Sequence, residues 1–262
     1  MSHPAKGRLA LACAAAILIS SFAVAGEAKA PPAVPAYVSA ALADKARPEA
    51  DVKLDEARKP GELIAFAGLK PGMKVIDFIP GGGYFTRVFA RVVGPKGRVY
   101  AFVPTEQIKA NPKALERTQA VVDDKAYGNI FLLKQPVNVF GAPEPVDVVW
   151  TTLNYHDLYV DFLGPANVPQ FNKMVFNSLK PGGVYLVVDH AAAAGSGHRD
   201  VGTLHRIDPA AVKAEVEAAG FVLESQSPLL ANPEDDHSKR VFDPSIRRHT
   251  DQFVYKFRKP RR

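Results

Sequence analysis

The chain has 262 residues, 47% of them hydrophobic and 23% charged, with a formal net charge of +6. This composition supports a packed core in one large or two small domains and excludes wholesale disorder. The positive balance is diffuse: outside the terminal "KFRKPRR" no Lys/Arg run is interleaved with aromatics, so nucleic-acid binding is not expected.

The first segment reads as a leader. "MSHPAKGR" is short and basic, "LALACAAAILISSFAVA" is apolar, and "AVA" ending at Ala25 is a small-residue cleavage site. Residues 1–25 are therefore predicted to be a signal peptide, with an exported, periplasmic destination and no stable membrane insertion after cleavage. The apolar run is shorter than the ~20 residues of a membrane span. The only cysteine, Cys13, lies inside it. The mature chain is thus expected to lack disulfides, thiolate metal sites and a cysteine nucleophile.

Residues 26–58 read as an N-terminal extension. "APPAVPAY" is Pro/Ala-rich and extended, and "YVSAALADKA" is a short helix stopped near Pro48. In "KPGELIAFAG" Leu63, Ile64, Phe66 and Ala67 are apolar at near-helical spacing, with Gly68 fitting the helix end. From residue 71 short apolar runs alternate with helical patterns. "MKVIDF" is a strand ending in an acid. In "YFTRVFARVV" Phe85, Val88, Phe89 and Val92 fall at i, i+3, i+4, i+7, one buried helix face. "GPKGRVYAFV" is a turn and second strand. "NPKALERTQAVVDDKA" is a helix with Asn111 expected as its cap. "NIFLLK" and "PVDVVWTT" are strands, "VPQFNKMVFNSL" a helix, "GGVYLVVDH" a fifth strand. "DPAAVKAEVEAAG" is a helix capped by Asp208 and ended by Gly220. "FVLESQSPL" and "DQFVYKF" are the last strands, separated by a charged loop that reads as surface.

This alternation predicts an α/β three-layer sandwich, a parallel sheet covered on both faces by helices. The final connection has no helical pattern, so the last strand is expected to pair antiparallel, as a C-terminal hairpin at the sheet edge. Residues 59–262 are assigned to this one domain.

Three stretches carry a family likeness. "LKPGMKVIDFIPGGGYFT", "GPKGRVYAF" and "SLKPGGVYLVVD" resemble the first strand and glycine loop, the second strand, and the fifth-strand turn of class I S-adenosylmethionine-dependent methyltransferases. The likeness covers roughly residues 59 to 258 and is nearest to a subgroup of exported, predicted methyltransferases. It implies a Rossmann-like, mostly parallel seven-stranded sheet, S-adenosylmethionine as cofactor and a small-molecule acceptor. By position it implies cofactor contacts at Asp77, Gly81, Gly82, Gly83, Tyr84, Thr86 and Asn154. The residues support this physically. A helix N-terminus presents unpaired N–H groups and a positive dipole end, and glycines let that backbone approach a ligand closely.

The sequence also departs from the family. Ile79 stands at the loop's first glycine, and Val103 stands where an acid usually meets the ribose, with Glu106 the nearest acid. Gln135 or Asn138 occupies the adenine-side position. The missing acid after the second strand also argues against a nicotinamide dinucleotide.

Open α/β sheets bind ligands at the carboxyl ends of their strands. Those ends are rich in polar groups here: "TLNYHDLY" after the fourth strand, "VVDH" closing the fifth, and then "AAAAGSGHRDVGTLHRID" with His198, Arg199, Asp200, His205 and Arg206. His156, Asp189 and His190 are the candidate catalytic residues, with His156 or His190 as base. Asp189 with Asn154, His156 or Asp157 also offers ligands for a divalent metal, but the spacing follows no fixed motif and no metal ligand is assigned. Methyl transfer is the leading expectation. The alternatives are a catalytically silent exported binding module and a metal-assisted hydrolase. The sequence assigns neither acceptor nor oligomeric state.

Overall fold

Alternate residues of each central strand are buried against opposite helix layers. In β1 (Lys74–Phe78) Val75 packs into one core, while Ile76 and Phe78 pack into the other. This is the signature of a sheet covered on both faces. The computed structural model describes Met1, residues 33–164 and residues 166–261. The expected signal peptide, with Cys13, lies outside the described residues apart from Met1.

The N-terminal part is a chain of short helices: α1 (Ala36–Leu42), α2 (Glu49–Val52), α3 (Asp55–Arg58) and α4 (Pro60–Ala67). Gly68 ends α4 in the left-handed conformation, as its sequence suggests. Val38 and Ala41 of α1 and Leu63 and Ile64 of α4 are buried in the same core as Phe85, Phe89 and Trp150. The segment before residue 59 is therefore packed onto the main body.

After β1 come α5 (Tyr84–Val93), β2 (Arg98–Pro104), α6 (Thr105–Ala110), α7 (Lys113–Val122) and β3 (Ile130–Gln135). Pro112, not Asn111, sits at the helix-cap position of α7, and no side chain caps it. Then follow β4 (Val146–Thr152), α8 (Val168–Ser178), β5 (Leu179–His190), α9 (Val201–Leu204), α10 (Pro209–Ala218), β6 (Val222–Ser227) and β7 (Gln252–Arg258). Asp208 caps α10 by accepting from Ala210 N–H at 2.9 Å.

The seven strands form one sheet in the order β3-β2-β1-β4-β5-β7-β6. β1 to β5 pair in parallel, and β7 pairs antiparallel with both β5 and β6. The expected edge hairpin is present. Strand order reverses between β1 and β4, which places the crevice at the carboxyl ends of those two neighbours. Among the described residues no helix is long and apolar enough to cross a membrane.

Candidate active site

The crevice begins where β1 ends. Asp77 is 4% exposed and accepts a hydrogen bond from Thr86 Oγ1 at 2.6 Å. Burial pushes its carboxyl up to about 7, against the opposing effects of Thr86 and the Arg58 charge. The chain then turns through Ile79, which takes a left-handed φ of 55°. A β-branched residue there is strained by about 1–3 kcal/mol, a cost that the surrounding packing must hold. Asn154 braces the turn by donating from Nδ2 to the carbonyls of Thr152, Phe78 and Ile79 at 2.7, 3.2 and 3.3 Å.

The glycines do different jobs. Gly81 and Gly82 are exposed, and a Cβ on either would meet nothing within 4 Å. Gly83 is buried at φ 81°, and a Cβ there would lie 2.5 Å from Val121 Cγ2. Gly83 thus permits close packing of the loop on α7, while Gly81 and Gly82 form an open ligand-facing wall. Helix α5 opens without a side-chain cap, which leaves its first-turn N–H groups and positive dipole end without a side-chain partner directly after that wall.

A cavity of about 300 Å³ lies over this loop, lined by Asp77, Ile79, Gly81, Gly82, Tyr84 and Asn154 among others. Its remaining wall comes from the N-terminal helices: Asp51, Leu54 and Arg58. They are latched down by charge-assisted bonds. Tyr84 Oη donates to Asp55 Oδ1 at 2.6 Å, and Arg47 grips the same carboxylate with two bonds of 2.6 and 2.8 Å. Arg87 bridges Asp51 Oδ2 and the Gly82 carbonyl at 2.8 and 2.9 Å. Arg58 stacks over the Tyr84 ring at 4.5 Å, and burial holds its guanidinium below the usual arginine range. Sequence reasoning named Tyr84 but missed Asp51, Leu54, Asp55 and Arg58, since four-residue helices carry no periodic signal.

A second cavity of about 250 Å³ shares Leu54, Arg58, Phe85, Thr152 and Leu153 with the first. Its far side is made by His190, Leu230, Val241, Phe242, Arg247 and Gln252. The charged loop before β7, which reads as surface, is thus a wall of the crevice. It is anchored by Arg206, fully buried, which donates to Asp235, to the Lys239 carbonyl and to the Ala191 carbonyl at 2.9–3.0 Å.

The three candidate catalytic residues divide. His190 lines the second cavity, and its Nδ1 lies 2.7 Å from Thr250 Oγ1. Burial, helped by the nearby charges of His156 and Arg206, lowers it to about 4, so the ring is neutral at ordinary pH. His156 and Asp189 are 3% and 0% exposed and line neither cavity. Asp189 accepts from His156 N–H and pairs with His156 Nδ1, both at 2.8 Å. Burial opposes charge on His156, but the Asp189 and Asp157 carboxylates outweigh it and hold the ring up at about 9. Of the residues expected at the cofactor, Gly83 and Thr86 stand behind the wall, and Thr86 acts through Asp77.

At the opposite, nucleoside end the sequence departures have structural counterparts. Val103 is 1% exposed in β2. Glu106 accepts from the Val137 N–H at 3.0 Å and does not line the cavity.

Residues 51–133 match the family described as protein-L-isoaspartate(D-aspartate) O-methyltransferase. A ubiquinone/menaquinone biosynthesis C-methyltransferase of Shewanella woodyi is 26% identical over 197 residues, 74% of this chain and 66% of that relative, just under two thirds of its length. A SAM-dependent methyltransferase from Aquifex aeolicus superposes with a TM-score of 0.53 at 18% identity, covering 79% of this chain and 98% of the other. A putative sarcosine dimethylglycine methyltransferase from Galdieria sulphuraria gives 0.56 at 13% identity, covering 81% and 88%. With the strand order and edge hairpin, these likenesses establish that the chain has the fold of the class I S-adenosylmethionine-dependent methyltransferases.

Proposed function

We propose that this protein is a methyltransferase that uses S-adenosylmethionine on a small acceptor, and that the two joined cavities hold donor and acceptor. The observation that carries this reading is the buried Asp77 carboxylate beside the open wall of Gly81 and Gly82. The residues present fit the amino-acid end of the donor. Asp77 would take its ammonium, and the uncapped start of α5 would take its carboxylate with Arg58 nearby. When bound, the donor supplies an electrophilic methyl group on a sulfonium.

The chain's own contribution is placement and proton handling. The α2–α3 segment forms the wall of the donor cavity that faces the glycine loop. Of the residues the two cavities share, Leu54, Phe85 and Leu153 are apolar, while Arg58 and Thr152 add polar groups at the junction. His190 faces the second cavity. The tautomer that donates Nδ1–H to Thr250 leaves Nε2 free to accept the proton an acceptor loses as its new bond to carbon forms. Arg247 and Arg248, together with Arg58, give this cavity positive charge beside the apolar Leu63, Leu230, Val241 and Phe242. That suits an acceptor with an apolar body and an anionic group. An exported destination belongs to the same reading, supported by the leader-like residues 1–25.

Calorimetry with S-adenosylmethionine and S-adenosylhomocysteine tests the proposal. Binding that is lost in Asp77→Asn supports it. No heat at millimolar ligand would leave only a silent module with this fold.

A further inference from the structure

Behind His190, away from the cavity walls, three ligand-bearing side chains converge. His156 Nε2 lies 3.3 Å from Asp157 Oδ1 and 3.3 Å from His205 Nδ1, and the three ligand atoms all fall within 4.8 Å of one another. We propose that His156, Asp157 and His205 form a binding site for one divalent transition-metal ion. This goes beyond methyl transfer and does not depend on it.

Several features point to a built site. The imidazole of His156 is fixed from behind: Asp189, fully buried at the end of β5, takes both its N–H and its Nδ1 at 2.8 Å. That is the carboxylate–histidine arrangement which sets a metal-binding ring's tautomer and raises its basicity, leaving Nε2 as the ligand atom. His205 is held at φ 54°, a left-handed conformation uncommon for a residue other than glycine, and its ring stands almost perpendicular to that of His156 at 5.4 Å. Ligand bonds of about 2.0–2.2 Å at near-tetrahedral angles separate ligand atoms by ~3.3 Å, the spacing seen on both sides of His156 Nε2.

The donor set selects the ion class. Two imidazoles and one carboxylate suit zinc, iron or cobalt better than magnesium or calcium, which prefer all-oxygen shells. Three protein ligands leave at least one position open to water or an oxygen-bearing ligand. Loading requires His205 to carry its proton on Nε2. Arg240, whose exposed side chain now reaches that nitrogen at 3.1 Å, would swing away. His205 also packs against Phe242 at 5.0 Å, and Phe242 lines the acceptor cavity, so the ion would stiffen one wall of it.

The test is titration of chelator-stripped full-length protein with Co²⁺, followed by its visible spectrum, and then displacement by Zn²⁺. One equivalent per chain is expected, with the intensified absorption of a site of fewer than six ligands. Asp189→Asn is expected to weaken binding about 10- to 100-fold. His205→Ala, at a half-exposed position whose fold is checked by circular dichroism, and Asp157→Asn are expected to abolish the spectrum. A His198→Ala, His237→Ala, His249→Ala variant controls for surface histidines and is expected to bind as the wild type does. An aquo-ion spectrum in the wild type, or a spectrum unchanged in His205→Ala, would overturn the proposal in favour of a hydrogen-bonded cluster only.

Discussion

Thr86 Oγ1 donates to Asp77 Oδ2 at 2.6 Å, and this is the only side-chain hydrogen bond to that carboxylate among the described residues. A single neutral donor does not offset full burial, which is why the Asp77 carboxyl sits at about 7. The protein therefore holds a carboxylate in need of a cationic partner.

The first consequence concerns stability. Asp77 has a folded-state value raised from an ordinary 3.8 to about 7, so between those values the native state holds more protons than the unfolded chain. Stability from this group is fully present below about pH 4 and declines as pH rises to 7. The loss amounts to roughly 4 kcal/mol for a shift of about three units. Asp77→Asn keeps the Thr86 bond and removes the charge. Thermal melts are expected to show the variant more stable than the wild type at pH 8 and the two converging near pH 4. Equal melting temperatures at pH 8 would show that Asp77 is solvated.

The second concerns binding. A cationic ammonium at Asp77 requires the ionised carboxylate, so binding near pH 6 is expected to release a proton. Calorimetric heats at that pH should then vary with the ionisation enthalpy of the buffer, and affinity should fall below pH 7. Heats independent of buffer would mean that the ammonium is placed elsewhere.

The glycine loop offers a paired test. Gly82→Ala meets open space, so its effect on folding is expected within about 0.5 kcal/mol while affinity for the donor falls roughly tenfold. Gly83→Ala combines a φ of 81° with a contact 2.5 Å from Val121, and is expected to destabilise the fold by about 1–3 kcal/mol. Urea unfolding of both, beside donor titration, separates packing from binding. An equal loss of stability in the two would contradict the division of roles.

The latch over the donor site is also testable. Tyr84→Phe removes the hydroxyl held by Asp55 and is expected to weaken the closed position of α2–α3 by about 0.5–1.5 kcal/mol. Hydrogen exchange in residues 47–58 should accelerate while that in β1 and β4 stays unchanged. Unchanged exchange in residues 47–58 would mean that Arg47 and Arg87 hold the latch alone.

Much of this was readable from sequence because the informative patterns are local. The short, mostly apolar runs at 73–78 and 182–188 mark strands buried on both faces, and the missing crossover helix before β7 marks the hairpin. Asp77 and the glycines were placed by the strand-turn-helix order, and the grouping of His156, Asp189 and His190 by their position at the ends of neighbouring strands. What escaped depends on contacts distant along the chain. Arg58 stands at the crevice over the ring of Tyr84, and its helix is tied down by the hydrogen bond from Tyr84 to Asp55, both contacts between residues far apart along the chain. Mixed charge hid the cavity wall of Phe242 and Arg247, whose loop is pinned by the buried Arg206–Asp235 pair. His205 meets His156 from a left-handed turn at the end of α9, a contact between residues 49 apart along the chain.

The measurement that bears most directly on the account is isothermal titration of the purified chain with S-adenosylhomocysteine at pH 8, run beside Asp77→Asn. The account expects saturable one-to-one binding in the wild type and a loss of at least tenfold in a variant that melts no lower. Equal affinity in the two proteins, or no binding in either, would contradict it.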